Sequence, residues 1–564
     1  MDKKLIKIGD SIFDSQAANY YYVDKSLLIK ELLDHPAEVT LITRPRRFGK
    51  TLNMYMLKSF FEYNSELRKD HGSKRRLFDG LKIEQAGDNY MQHFGQYPVI
   101  FLSFKEAKAK KWEQSYNALK ECFYAEYERH INIADSEKLT EAGKIRFRRF
   151  LDRAALNSDF PSAIKFLSDC LNSHYDRQVV ILIDEYDVPL DAAHTGGFYD
   201  TMIDLVRSMF STSLKDNDSL AFAVMTGCLR ISQESIFTGL NNPVIASIAS
   251  YDYSEHFGFT QKEVDDMLKY FGLEDKREEI RNWYDGYLFG KANVYNPWSV
   301  IKRITTLLRN YDSYPEPYWA NTSGNDIIRK LIDRVADDDA KRELETLMAG
   351  GTIEKPINEN ITYNDIDSSV DNLWNFLFFT GYLKKVSETI IKNKRHFEFA
   401  IPNTEVEAIY QDQICQWFDK TVKDSNIPQE FVHALISGDK ETAQKRLSTM
   451  LMKSISYFDN AESYYHGFLT ALFVRTPEYE VKSNRETGDG RCDIFMRPYW
   501  REKPVILIEA KIAPAYNALV AKCQEALQQI ETNRYADEFI EDGYTNILKY
   551  GIAFYKKECL IQID

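Results

Sequence analysis

The segment Arg44-Pro45-Arg46-Arg47-Phe48-Gly49-Lys50-Thr51 has the residue types of a phosphate-binding loop. A glycine lets the backbone approach a phosphate closely, and the N–H groups opening a following helix supply positive potential to it. Lys50 can reach the β- and γ-phosphates of a nucleotide, and the Thr51 hydroxyl can ligate Mg²⁺. The loop follows the apolar run Val39-Thr40-Leu41-Ile42 and precedes Leu52, Met56 and Phe60, which recur at helical spacing. Strand, loop and helix are therefore expected in that order. Arg44 stands where the usual motif begins with glycine, and Pro45 stiffens the turn.

A second apolar run, Val179-Val180-Ile181-Leu182-Ile183, ends in Asp184-Glu185. An acid at the carboxyl end of a buried strand beside the loop can hold Mg²⁺, largely through water. The adjacent Glu185 is placed to orient and polarise an attacking water. A further run ends in Thr226-Gly227-Cys228-Leu229-Arg230. There Thr226 can contact the γ-phosphate or its water, and Arg230 can offset developing charge. Arg46, Arg47, Phe48, Gly49, Lys50 and Thr51, with Asp184, Thr226 and Arg230, make up the expected nucleotide cradle. Arg46 and Arg47 can instead wait for a protein partner or a second subunit.

A different chemistry is written near the C-terminus. Gly490-Arg491-Cys492-Asp493-Ile494-Phe495-Met496 precedes Val505-Ile506-Leu507-Ile508-Glu509-Ala510-Lys511. Side chains alternate along a strand, so Glu509 and Lys511 point to one face. One carboxylate from each strand can hold Mg²⁺ or Mn²⁺ and activate water for attack on a phosphodiester. Lys511 can orient that water or offset charge on the phosphorane.

The elements that must position these groups fall into a pattern. In the first half, strand-like runs at 39–42, 98–102, 179–183 and 221–225, with another near 244–249, alternate with helical patterns. Such alternation predicts a mostly parallel sheet covered by helices, with a helical insertion at about 105–175 over one sheet edge. Residues 300–455 read as mainly helical. A second α/β pattern begins near 460, with a helix near 461–474, strands near 491–496 and 504–509, a helix near 516–535 and a strand near 550–554. At 564 residues the chain exceeds one hydrophobic core. The expected limits are a core over 1–255, a helical lid over 256–345, a helical connector over 346–455 and a last domain over 456–564.

Composition narrows the class. Apolar residues make up 44% and charged residues 28%, as in ordinary globular protein. No run of about 18 apolar residues is present to span a membrane, and the N-terminus lacks a secretory apolar stretch. Seven scattered cysteines without a CxxC pair suit a reducing cytoplasm. The net charge of -13 argues against a protein that coats nucleic acid, though not against an enzyme with one local basic cleft. Residues 461–564 themselves carry slightly more acidic than basic residues.

Thr43 to Thr51, Leu182 to Asp187, Thr226-Gly227 with Arg230, and Ile236-Phe237-Thr238-Gly239-Leu240-Asn241-Asn242 together resemble the bacterial AAA-ATPase-like family. Trp283 to Tyr287 and Val294 to Val300 extend the likeness over about residues 5–300. The resemblance implies a P-loop sheet of the AAA+/STAND-like type with a helical lid, and makes Arg-Pro-Arg-Arg the ordinary start of the loop. Residues 455–560 resemble the PD-(D/E)xK nuclease superfamily, a restriction-endonuclease-like α/β fold. In that branch Glu462 matches a helical acid that can join the metal site, and Gly551 to Phe554 match a closing strand. The expectation is an ATP-binding and ATP-hydrolysing protein joined to a metal-dependent nuclease acting on DNA or RNA, a pairing that fits defence or mobile-element biology. The alternative is a nucleotide-dependent switch or scaffold whose C-terminal fold binds without cutting.

Overall fold

The computed structural model describes residues 3–63, 71–215, 217–229, 243–319, 328, 338–348, 350–359, 361, 363–365, 368–421, 427–454, 462–473, 476, 478–487, 490–556 and 558–564. It is an α/β protein of two compact units. One comprises Met1–Ser323 with Glu354–Glu405, and the other Gly324–Ile353 with Val406–Asp564.

The first unit is built on a five-stranded sheet. Its strands are β1 (Val39–Thr43), β2 (Val99–Ser103), β3 (Val179–Asp184), β4 (Leu220–Gly227) and β5 (Val244–Ala246). They lie in the order β2-β3-β4-β1-β5, every neighbouring pair parallel. Parallel strands need helical crossovers on both faces, which is why β1 and β3 are buried along their whole length and mostly apolar. β4 lies between β1 and β3, so one strand separates the acid-bearing strand from the strand that leads into the loop. The helix Lys50–Phe61 makes up the distance by crossing the sheet. Its Tyr55 packs on Phe101 of β2 with ring centroids 4.7 Å apart, and its Phe61 on Phe222 of β4 at 5.2 Å.

The insertion between β2 and β3 does cover a sheet edge. On the open side of β2, the Phe101 N–H donates to Glu126 Oε1 at 2.8 Å, and the Val99 carbonyl accepts from Arg129. Both partners lie on the helix Trp112–Arg129. These bonds satisfy backbone groups that a bare edge would offer to another strand.

Beyond β5 come a small sheet of β6 (Phe259–Thr260), β7 (Tyr287–Phe289) and β8 (Ala292–Tyr295) and the helices Gln261–Phe271, Arg277–Tyr284 and Pro297–Arg309. The middle region is helical over most of its described length but also contains a second three-stranded sheet. That sheet holds β9 (Ile353–Pro356), β10 (Lys384–Ile391) and β11 (Lys394–Ala400). The β10–β11 hairpin is exposed on most of β10, so its apolar pattern is too faint to separate it from the surrounding helices.

The second unit has a mixed sheet of β12 (Tyr479–Thr487), β13 (Gly490–Pro498), β14 (Val505–Ile512), β15 (Ile547–Tyr555) and β16 (Glu558–Ile563), in that order. Only β14 and β15 pair in parallel. Ile494, Met496, Ile506, Ile508, Ile552 and Phe554 pack with Phe431, Leu447, Leu451 and Leu469 of the helices Ile427–Ile436, Lys440–Ser454 and Glu462–Phe473. The helix Leu519–Thr532 covers the opposite face. A Cβ on Gly551 would come within 2.4 Å of the Cys523 carbonyl of that helix, so only glycine permits the close approach.

Candidate functional sites

The loop after β1 follows from a few local constraints. Gly49 has φ +84° and caps the helix Lys50–Phe61, a left-handed geometry that costs a glycine little. Arg47, at φ +71°, shares that geometry without a glycine's freedom. Across the site Glu185 does the same at φ +54°. Left-handed non-glycine residues cost roughly 1–2 kcal/mol each and persist only where surrounding structure holds them.

Arg44 is fully buried and is a structural residue rather than a phosphate contact. Its guanidinium donates to the carbonyls of Thr43 and Ala246 at 2.8 Å and of Tyr253 at 3.0 Å. It also lies against the rings of Phe257 and Phe289. Burial pushes its pKa down to about 9, which leaves it a cation at neutral pH. A glycine there would leave those carbonyls without donors, which accounts for the Arg-Pro start of the loop.

Lys50 is 4% exposed and donates to the carbonyls of Arg44 at 2.9 Å and Pro45 at 3.0 Å. The Thr51 hydroxyl donates to Asp184 Oδ2 at 2.8 Å, and Thr226 donates to Asp184 Oδ1 at 2.7 Å. Ser103, which pairs with Asp184 at the end of β2, stands 3.4 Å from Oδ2. Burial, then the neighbouring Glu185 charge, raise the Asp184 pKa against these hydroxyls. Thr51 thus meets Asp184, the Lys50 charge favours the Asp184 carboxylate, and a divalent cation would relieve the cost of ionising it. Glu185 is half-buried at the strand end.

The other expected cradle residues separate. The Phe48 side chain is wholly buried against Tyr287 and Phe289, so it props the loop from behind. Arg47 lies over the Trp298 ring, 4.3 Å from its centroid. Arg46 pairs with Asp191 Oδ2 at 3.1 Å. Arg230 and residues 236–242 lie outside the described residues.

Asp187 ties the segment after β3 to the segment after β4. Its Oδ2 accepts from the Cys228 N–H at 2.8 Å and the Leu229 N–H at 3.1 Å. Burial raises its pKa to about 6. A Cβ on Gly227 would meet the Tyr186 ring at 2.6 Å and Asp187 Oδ1 at 2.8 Å, so glycine is required at that contact. Ser103, Asp191 and Tyr363 also frame this site and escape sequence reasoning, since none lies at a fixed spacing from the loop, while Trp298 stands in sequence only within the segment of family likeness.

In the second unit, the β13–β14 ladder runs from Met496↔Ile506 to Ile494↔Ile508. Just past it, the Ala510 N–H donates to Asp493 Oδ2 at 2.9 Å and the Asp493 N–H to Glu509 Oε2 at 3.3 Å. The two carboxylates therefore face one patch. Lys511 Nζ lies 3.2 Å from Glu509 Oε1. Glu509 is 1% exposed, and burial followed by the Asp493 charge raises its pKa to about 7, with Lys511 opposing. Hard carboxylate oxygens short of positive charge suit a divalent cation. Among the described residues no group of three or more His, Cys, Asp or Glu is gathered for a metal. The Glu462 side chain lies outside the described residues.

Two segments of the chain match known families. Residues 8–237 match the model of the predicted AAA-ATPase family, and residues 460–563 match that of the PD-(D/E)XK nuclease superfamily. The chain therefore carries an N-terminal AAA-ATPase-like domain and a C-terminal domain of the nuclease superfamily. It is also similar from end to end to a protein of Azotobacter chroococcum described as "Uncharacterized protein in vnfD 5'region". The two are 26% identical over 557 residues, covering 96% of this chain and 95% of that protein. No described helix is long and apolar enough to cross a membrane.

Proposed function

We propose that the chain binds and hydrolyses ATP in its first unit and cleaves nucleic acid with a divalent metal in its second. The observation that carries this reading is the convergence of Asp493, Glu509 and Lys511 in the same chain as the Thr51–Asp184 pair. In the first unit Lys50 and the helix N-terminus bind phosphate, Thr51 and Asp184 hold Mg²⁺, and Glu185 takes a proton from water. In the second, Asp493 and Glu509, joined by Glu462, hold Mg²⁺ or Mn²⁺, and Lys511 faces the attacked phosphate. The metal supplies charge stabilisation and a more acidic water.

The test is to incubate purified protein with plasmid, linear DNA and RNA, each with and without Mg²⁺ and ATP. Metal-dependent cleavage is expected of at least one substrate. Asp493→Ala and Lys511→Ala should each lose cleavage and keep ATPase activity. Cleavage that survives both substitutions rejects the nuclease site. Binding without cleavage supports a nucleotide-dependent switch whose second unit is a binding module.

A further inference from the structure

Arg46 lies in the phosphate loop, yet its guanidinium is held by an acid from elsewhere. Asp191, on the helix Val188–Gly196 after β3, accepts from it at 3.1 Å. Asp187, Cys228 and Tyr363 also act electrostatically on Arg46. Tyr363 is 4% exposed, and its ring packs against His194, Tyr199 and Phe376. The same stretch of chain touches the loop again at Gly381, where a Cβ would come within 3.0 Å of Pro45. Glycine at φ +92° permits that contact. Tyr363 and Gly381 thus border the loop although they lie well outside the matched ATPase segment.

Building on the nucleotide reading above, we propose that Asp191 is a positioning residue that tempers the site's preference for ATP over ADP. It does so by competing with the γ-phosphate for the Arg46 guanidinium. Both side chains are about two-fifths exposed, at 43% and 41%, so the pair is weak and readily exchanged. A γ-phosphate carries more negative charge than one carboxylate and offers several acceptor oxygens, so it wins the guanidinium when present. ADP lacks that group, and Arg46 then stays with Asp191. Asp187 also acts on Arg46 electrostatically, but the hydrogen-bonded ion pair of Arg46 is with Asp191.

The test measures the affinity of the full chain for a non-hydrolysable ATP analogue and for ADP, each with Mg²⁺. Asp191→Asn should tighten the analogue about two- to fivefold, the scale of an exposed pair, and leave ADP unchanged. Arg46→Ala should weaken the analogue about tenfold with little effect on ADP. In the Arg46→Ala background, Asp191→Asn should have no further effect. Equal shifts for both nucleotides, no shift, or a gain that persists without Arg46 would each overturn the proposal. Lys50→Ala separates the two levels of the reading. If the wild type binds neither nucleotide, or Lys50→Ala binds both as well as the wild type, the nucleotide site itself is wrong and this inference falls with it.

Discussion

Thr51 donates its hydroxyl to Asp184 at 2.8 Å, although β4 separates the strands that lead to the two residues. The helix Lys50–Phe61 leans across the sheet to make the contact. Hydroxyl and carboxylate then stand as a ready pair of oxygen ligands on the side of the sheet where the loop opens.

Lys50→Ala should weaken ATP binding by at least about 10²-fold, since it removes the cation aimed at the phosphates. Lys50 is buried and donates to two backbone carbonyls. A stability loss of about 1–3 kcal/mol should therefore accompany the loss of binding. Calorimetric titration with ATP and a parallel urea melt separate the effects. Unchanged affinity in a folded variant would remove Lys50 from the site.

Glu185→Gln should bind ATP and turn it over at least about 10²-fold more slowly. Asp187 is the nearest alternative base, but two backbone N–H groups occupy one of its oxygens. Phosphate release under saturating ATP is the measurement. Wild-type turnover in Glu185→Gln, lost instead in Asp187→Asn, would transfer the role.

Arg44→Ala should destabilise the first unit by at least about 3 kcal/mol, because several buried carbonyls lose their donor. Arg46→Ala, two residues away and partly exposed, should change stability by less than about 1 kcal/mol. Thermal unfolding of the two variants side by side gives the answer. Equal melting temperatures would contradict the division of roles.

Glu405 gives the first unit a pH dependence. It is fully buried, accepts from Ser299 at 2.8 Å and from the Trp319 N–H at 2.9 Å, and burial raises its pKa to about 7. Because the folded value lies above the unfolded one, the native state keeps a proton that the unfolded chain releases above about pH 4.5. Its contribution to stability is therefore favourable at low pH and is lost as pH rises toward 7, by roughly 3 kcal/mol in all. Glu405→Gln stays neutral throughout. Urea midpoints from pH 4.5 to 8 should show the wild type losing ground against the variant, and a constant gap would refute the assignment.

Much of the candidate chemistry was legible from residue order. Gly49-Lys50-Thr51 after an apolar run, and Asp184-Glu185 closing another, need only strand and helix periodicity to be placed. The alternation of β14 likewise put Glu509 and Lys511 on one face without any knowledge of neighbours. Local sequence carries such information because it fixes dihedral preferences and side-chain period within one element.

What the sequence left open depended on partners distant along the chain. Arg44 reads as a phosphate-loop residue until Ala246 and Tyr253 fold over it and claim its guanidinium. Strand order is set by crossover packing, so only the assembled sheet places β4 between β1 and β3. Strands β12 and β16 lie at the two edges of the second sheet, and their role emerges only through pairing with β13 and β15. Asp493 and Glu509 meet because the β13–β14 register ends beside them. No spacing of 16 residues could have specified the bonds that Asp493 makes with Glu509 and with the Ala510 N–H.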